Sequence, residues 1–180
     1  MSATVDTTIH WKTTIIISSS LQNHETKRML SVLQHRIRLS DTVGSGTFIF
    51  PVSGTAFLLV DPQDLSDPCD DSEFFEKIRM FVQVHRNSFL LLHVPFLEEK
   101  ELKTLSVIQN RFFSTNLRIL PVRNNKEIVK GMLTIAKATS KPHVDSIQER
   151  MTLAREHVIA NSPVWEMLRG ILQSSADIPP

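Results

Sequence analysis

Two apolar runs without alternation constrain this chain more than any other feature. Ala56 to Val60 (AFLLV) and Phe89 to Leu92 inside SFLLLHV place apolar side chains on both sides of a strand pleat. A strand with one solvated face alternates polar and apolar residues, so both runs read as strands covered on both faces, as in a parallel sheet between helical layers. Asp61-Pro62 stops the first run, because proline lacks the N–H that a central ladder needs. In open α/β sheets ligands bind just outside the carboxyl ends of such strands, and Asp61, Asp64 and Asp67 fall there.

The rest of the chain supports an α/β reading. Thr13 to Ile17 is β-branched throughout and predicts a buried strand, followed by a serine loop able to cap a helix. That helix is expected over Gln22 to Arg36, with Met29, Leu30, Leu33 and Ile37 inward. Arg38 to Thr42 and Thr47 to Phe50 predict two short strands joined by a hairpin-like turn at Gly44-Ser45-Gly46. An acidic loop then leads into a helix from Ser72 to Arg86, with Phe74, Phe75, Ile78, Phe81, Val82 and His85 on one face. After the strand Ser88 to Val94, a helix from Leu97 to Gln109 is expected to bury Leu102, Leu105 and Ile108. A shorter strand, Leu117 to Val122, precedes a helix capped by Asn124 or Asn125 and running to about Thr139, with Ile128, Val129, Met132 and Ile135/Ala136 inward. Strands and helices in alternation predict a three-layer α/β domain with a mostly parallel sheet.

Ser140-Lys141-Pro142 reads as a boundary. The expected organisation is therefore a loose lead-in (1–11), an α/β domain (12–140) and a helical tail (141–180). In the tail, Ile147, Met151 and Val158 keep helical spacing, and Ser162-Pro163 opens a last helix carrying Trp165, Leu168 and Ile171. Two helices with so short a connection cannot bury both apolar faces alone, so they pack on the α/β body or on a partner, and a protein partner is the expected cover.

Charge is distributed unevenly although the 180-residue chain is nearly neutral at +1. Between Arg38 and Lys77 no basic residue occurs, while Asp41, Asp61, Asp64, Asp67, Asp70, Asp71, Glu73 and Glu76 do. From Lys100 to Lys141 the balance reverses, and Lys126, Lys130, Lys137 and Lys141 fall at spacings of four, seven and four. Such a stripe attracts phosphate backbones, or is simply a solvated helix face. The single cysteine, Cys69, excludes a disulfide framework and a cysteine-rich zinc site. With neither a signal pattern nor a membrane-length apolar run, the chain reads as a soluble intracellular protein.

Catalytic motifs fail one by one. A Mg²⁺ nuclease needs two or three carboxylates and a lysine to balance charge, yet Gln63 stands two residues after Asp61 where that lysine is wanted. Gly44-Ser45-Gly46-Thr47 lacks the GK[ST] of a phosphate loop, and the seven histidines contain no HExxH. His85 and His93 read as core or strand-edge residues. No metal or cofactor is called for.

The order of elements, with GTAFLLV, SFLLLHV, the basic helix and the Lys141-Pro142 break, resembles the non-catalytic subunits of the XPF nuclease family over about Ile15 to Ile171. Active members carry a glycine-aspartate pair, a strand ending in glutamate-arginine-lysine, and an aspartate four residues on. Against that pattern Gly54 keeps the glycine, Thr55 replaces the aspartate, Asp61 replaces the glutamate, Pro62 the arginine and Gln63 the lysine, and Asp67 keeps the last acid. The resemblance implies a nuclease-like fold with a vestigial active-site loop (Asp61, Gln63, Asp67) and no nuclease activity. It also implies a meiotic heterodimer with a larger XPF-like protein of the shortage-in-chiasmata (Zip-two) type, which acts on branched DNA in the nucleus and promotes crossover formation and synapsis. The family's tail is a tandem helix–hairpin–helix; here Asn161-Ser162-Pro163 has no hairpin glycine, so the tail resembles a degenerate version. Dimerisation through Ile147, Met151, Val158, Trp165, Leu168 and Ile171, and DNA contact through Lys126, Lys130, Lys137 and Lys141, are the expected roles. A Mg²⁺-dependent structure-specific nuclease using Asp61 and Asp67, and a protein scaffold without DNA contact, are the rival readings.

Overall fold

A computed structural model describes residues 11–61, 72–96, 98–160, 162–164, 166–167 and 169. It divides into two compact units, Met1–Ser140 and Lys141–Pro180. The first contains strands β1 (Thr14–Ser18), β2 (Arg36–Ser40), β3 (Thr47–Phe50), β4 (Thr55–Val60), β5 (Asn87–His93) and β6 (Arg118–Val122) in one sheet ordered β2-β1-β3-β4-β5-β6. Helices α1 (Glu25–Val32), α2 (Ser72–Val84) and α3 (Glu99–Arg111) alternate with them, and α4 (Asn125–Ala160) follows β6. β1 pairs with β2, β4 with β5 and β5 with β6 in parallel, while β3 is antiparallel to both neighbours.

The central strands lack alternation because each side of the sheet has its own core. Phe57 and Phe89 join Ile15, Ile17, Phe48 and Phe50 beneath Leu30 of α1 and Ile128, Val129 and Met132 of α4. Leu58, Val60, Leu90 and Leu92 point to the other side, beneath Phe74, Phe75 and Ile78 of α2 and Ile108 of α3. This is the three-layer arrangement with a mostly parallel sheet that the two runs demand.

Four local expectations are corrected. The first helix is shorter, because Gln34 takes φ +62° and turns the chain back after Val32; Leu33 is left half-exposed and Ile37 becomes part of a strand. That strand, β2, does not form a hairpin with β3. It lies parallel to β1, with Thr14 opposite Arg36, and the hairpin is β3–β4, whose Pro51–Gly54 turn ends with Gly54 at φ +62°. Leu102 of α3 is outward, 47% exposed, and Thr104 occupies the inward position.

Finally, Pro142 does not end a helix, since α4 is helical from Asn125 through Ala160. A proline removes one backbone donor. The hydroxyls of the preceding turn bond to carbonyls upstream of the one left without a donor, Thr139 Oγ1 donating to Ile135 O (2.8 Å) and Ala136 O (3.2 Å), and Ser140 Oγ to Lys137 O (3.0 Å).

Candidate functional site

The residues singled out from sequence fall on three surfaces. The first is the sheet edge where β4 and β5 end. In the parallel register Val60 stands opposite Leu92, so the next residues on each strand, Asp61 and His93, come side by side. His93 Nδ1 lies 3.3 Å from Asp61 Oδ2, and both side chains are partly exposed. Gln63 and Asp67 lie outside the described residues. Among the described residues no three His, Cys, Asp or Glu side chains converge on a point a cation would occupy.

Thr55 begins β4 and Gly54 precedes it, so both lie at the opposite end of the strand from Asp61, where Thr55 Oγ1 is 2.6 Å from the Ser53 hydroxyl. They cannot share a constellation with Asp61. The glycine-threonine pair that the fold does bring there is Gly46-Thr47, because the antiparallel β3 starts where β4 ends; Leu59 N donates to Gly46 O at 2.8 Å. Thr47 supplies no carboxylate. Gly46 is at φ +77°, and a Cβ built on it would stand 2.9 Å from the Leu59 carbonyl oxygen, so only glycine fits.

A cleft of about 380 Å³ opens at this edge, lined by Asp61 and His93, by Ser20 and His24 from the β1–α1 connection, by Gly46, by Lys77 of α2 and by Asn125 at the start of α4. Sequence reading missed His24 and Lys77 as members. Lys77 is the basic residue that closes the acidic stretch in sequence, and α2 returns it to the cleft. His24 caps α1, its Nδ1 accepting from Thr26 N at 3.2 Å. Burial lowers the His24 pKa first, the nearby His93 charge lowers it further, and Glu25 opposes both.

The second surface is the basic stripe. Lys126, Lys130 and Lys137 are exposed on α4, opposite buried Ile128, Val129, Met132 and Ala136; Lys141 is exposed in the second unit. Glu127 does not offset the stripe freely. Its Oε2 accepts from Arg123 N (2.9 Å) while Asn124 Oδ1 accepts from Glu127 N (3.0 Å), a reciprocal cap of the helix.

The third surface belongs to the second unit. Ile147, Met151 and Val158 are 43%, 66% and 67% exposed, and Leu153 and Ile159, which the spacing argument had passed over, are 59% and 45% exposed. Of the last stretch, Pro163, Val164, Glu166, Met167 and Arg169 are helical, with Val164 and Met167 exposed; Trp165, Leu168 and Ile171 lie outside the described residues. Among the described residues no helix is long and apolar enough to cross a membrane.

The fold is that of the XPF-like nuclease-fold domains. XPF from Aeropyrum pernix superimposes with a TM-score of 0.59 at 10% identity, covering 85% of this chain and 83% of that one. The same protein in complex with DNA gives a TM-score of 0.59 at 12% identity, over 72% of this chain and 66% of that chain. Such identities speak for the fold alone. The sequence places the chain more narrowly: the family described as Protein SPO16 homolog matches residues 9–171, and the human Protein SPO16 homolog is 44% identical over 172 residues, 96% of this chain and 95% of that protein. The chain belongs to the Protein SPO16 homolog family.

Proposed function

We propose that this chain is the non-catalytic subunit of a meiotic heterodimer with a larger XPF-like protein of the shortage-in-chiasmata (Zip-two) type. The pair binds branched recombination intermediates in the nucleus, on meiotic chromosomes, and promotes crossover formation and synapsis. The observation that carries the reading is the apolar row of the second unit, where Ile147, Met151 and Val158 share one side of the helix and are all exposed, with Leu153 and Ile159 exposed elsewhere on it. Apolar exposure on this scale marks a surface that a partner covers. The family's resemblance to XPF small subunits gives that partner its class.

DNA contact is assigned to Lys126, Lys130 and Lys137, with Lys141 beside them in sequence. Lys126 and Lys137 are eleven residues apart, about 16 Å of helix, which is the rise of about five phosphates along one strand. Contacts of this kind position a protein without reading bases, as recognition of DNA shape requires. That XPF from Aeropyrum pernix, of similar fold, is found in complex with DNA supports DNA contact as such. The non-catalytic reading is supported at that edge by Asp61 facing His93 and by Thr47, which supplies no acid.

Co-expression with the XPF-like partner, followed by size-exclusion chromatography and incubation with branched DNA and Mg²⁺, tests the reading. A stable one-to-one complex that binds but does not cut is expected. Cutting that disappears in Asp61→Ala would establish the nuclease instead, and a complex indifferent to DNA would establish the scaffold.

A further inference from the structure

The cleft beside Asp61 has no place in the reading above, and its position in the sheet is informative. β1 and β4 are parallel to one another, each antiparallel to β3 between them. From β1 the chain turns outward to α1 and β2; from β4 it turns the other way to α2 and β5. The two connections also leave to opposite faces, since α1 lies over one core and α2 over the other. A switch in strand order of this kind opens the crevice in which α/β sheets hold ligands.

The chemistry of the lining selects the ligand. Lys77 contributes an ammonium, and none of the ion pairs among the described residues engages it. His24 accepts a backbone bond at Nδ1, so its proton is on Nε2 and it is a donor. The Asp61 carboxylate faces His93 Nδ1, which sets an imidazole against the one acidic side chain of the lining among the described residues. Asn125 adds the first turn of α4, whose dipole favours an anion. Among the described residues of the lining, donors and positive charge thus outweigh the acid. The volume of about 380 Å³ is at the small end of ligand sites, suited to one phosphate ester and not to a length of strand.

We propose that the cleft is a metal-independent binding site for a phosphate ester no larger than a mononucleotide, held by Lys77, His24 and His93. The ester is either a free nucleotide or the 5′-phosphorylated end of a DNA strand; the ligand chemistry is the same. The Lys126 stripe plays no part in it, so this site and the proposed DNA surface stand or fall separately.

The test is an NMR titration of the isotope-labelled full chain, watching the His24 and His93 imidazole protons. Inorganic phosphate and adenosine monophosphate are expected to shift both saturably, and Lys77→Gln to weaken binding about tenfold, the loss of one charge-assisted hydrogen bond. Lys77→Arg restores a cation and is expected to recover most of the affinity. His24→Asn retains a side-chain oxygen for the helix cap, so weakened binding there reports the lost imidazole and not a lost fold. A 5′-phosphorylated trinucleotide binding more tightly than the monophosphate identifies the strand end, and equal binding identifies the free nucleotide. Unmoved imidazoles at saturating phosphate, or equal affinity in Lys77→Gln, overturn the site. The triple exchange of Lys126, Lys130 and Lys137 to Glu leaves these titrations unchanged if the two surfaces are distinct.

Discussion

The two halves of α4 are in opposite situations. Up to Ser140 the helix is amphipathic in the ordinary way, with Ile128, Val129, Met132 and Ala136 in the core of the first unit and lysines outside. Beyond Lys141, Ile147, Met151, Leu153, Val158 and Ile159 are all exposed. One half has spent its apolar residues on its own sheet, and the other retains them. The sharpest way to break this contrast is a matched pair of substitutions. Met132→Asp places an unpaired charge where exposure is 0% and is expected to cost on the order of 4 kcal/mol, a large share of the stability of a domain this size. Met151→Asp is expected to change the melting temperature by less than about 3 °C, within the range of surface substitutions. It should nevertheless abolish co-elution with the XPF-like partner. A large loss of stability in Met151→Asp, or normal co-elution, would make the second half an ordinary buried helix.

The contrast extends to charge. Exchanging Lys126, Lys130 and Lys137 for Glu alters the solvent side of the packed half only, so the fold should survive. DNA affinity of the heterodimer is expected to fall at least tenfold at moderate salt, and the slope of log affinity against log salt to flatten by roughly 2 to 3. Unchanged affinity would remove DNA from this surface and leave the scaffold reading.

A smaller effect separates the first unit by pH. Burial, and then the Lys12 ammonium, hold His35 below the usual 6.5, and its Nδ1 accepts a bond from Thr13 N at 3.3 Å. His85 is lowered by burial, and His24 by burial and the His93 charge. The folded state therefore prefers neutral imidazoles. Their contribution is fully present above 6.5 and is lost as pH falls through the lowered folded values. Melting temperatures measured between pH 7.5 and 5.5 should decline, and His35→Gln should decline less steeply than the parent. Equal slopes would remove His35 from the account.

Sequence patterning reached the layers and the central strands because AFLLV and SFLLLHV admit few structures, and it reached the Asn124 cap because the cap is local. Its failures were of another kind. Whether Arg36–Ser40 pairs with β1 or β3 depends on where the chain turns at Gln34, and no propensity favours positive φ at a glutamine. The expected stop at Pro142 rested on proline as a breaker, yet α4 runs through it with one ladder donor fewer. The cleft was partly legible. Asp61 and His93 each end an apolar run, and aligning the runs in parallel register would have paired them. Lys77 and His24 arrive from separate helical segments, and only the tertiary fold brings them to that edge. The mistaken use of Gly54-Thr55 has the same origin, since a pattern of letters does not tell which end of a strand a residue occupies.

The finest probe of the packed half is Gly131. A helix-interior glycine is ordinarily a liability of about 1 kcal/mol relative to alanine. Here a Cβ would stand 2.9 Å from Leu120 Cδ2, the far end of a flexible side chain on β6. The Leu120 methyl must move by a few tenths of an ångström, and the gain in helix propensity is set against that repacking. Gly131→Ala is therefore expected to leave stability within about 0.5 kcal/mol of the parent, instead of raising it by the full 1 kcal/mol. Adding Leu120→Val, which shortens the obstructing side chain, should recover part of the propensity gain; chemical denaturation of the two variants measures it. If Gly131→Ala alone gains the full amount, α4 is not held closely against β6. The difference between its two halves would then be one of degree, with the first half as free to rearrange toward a partner as the second.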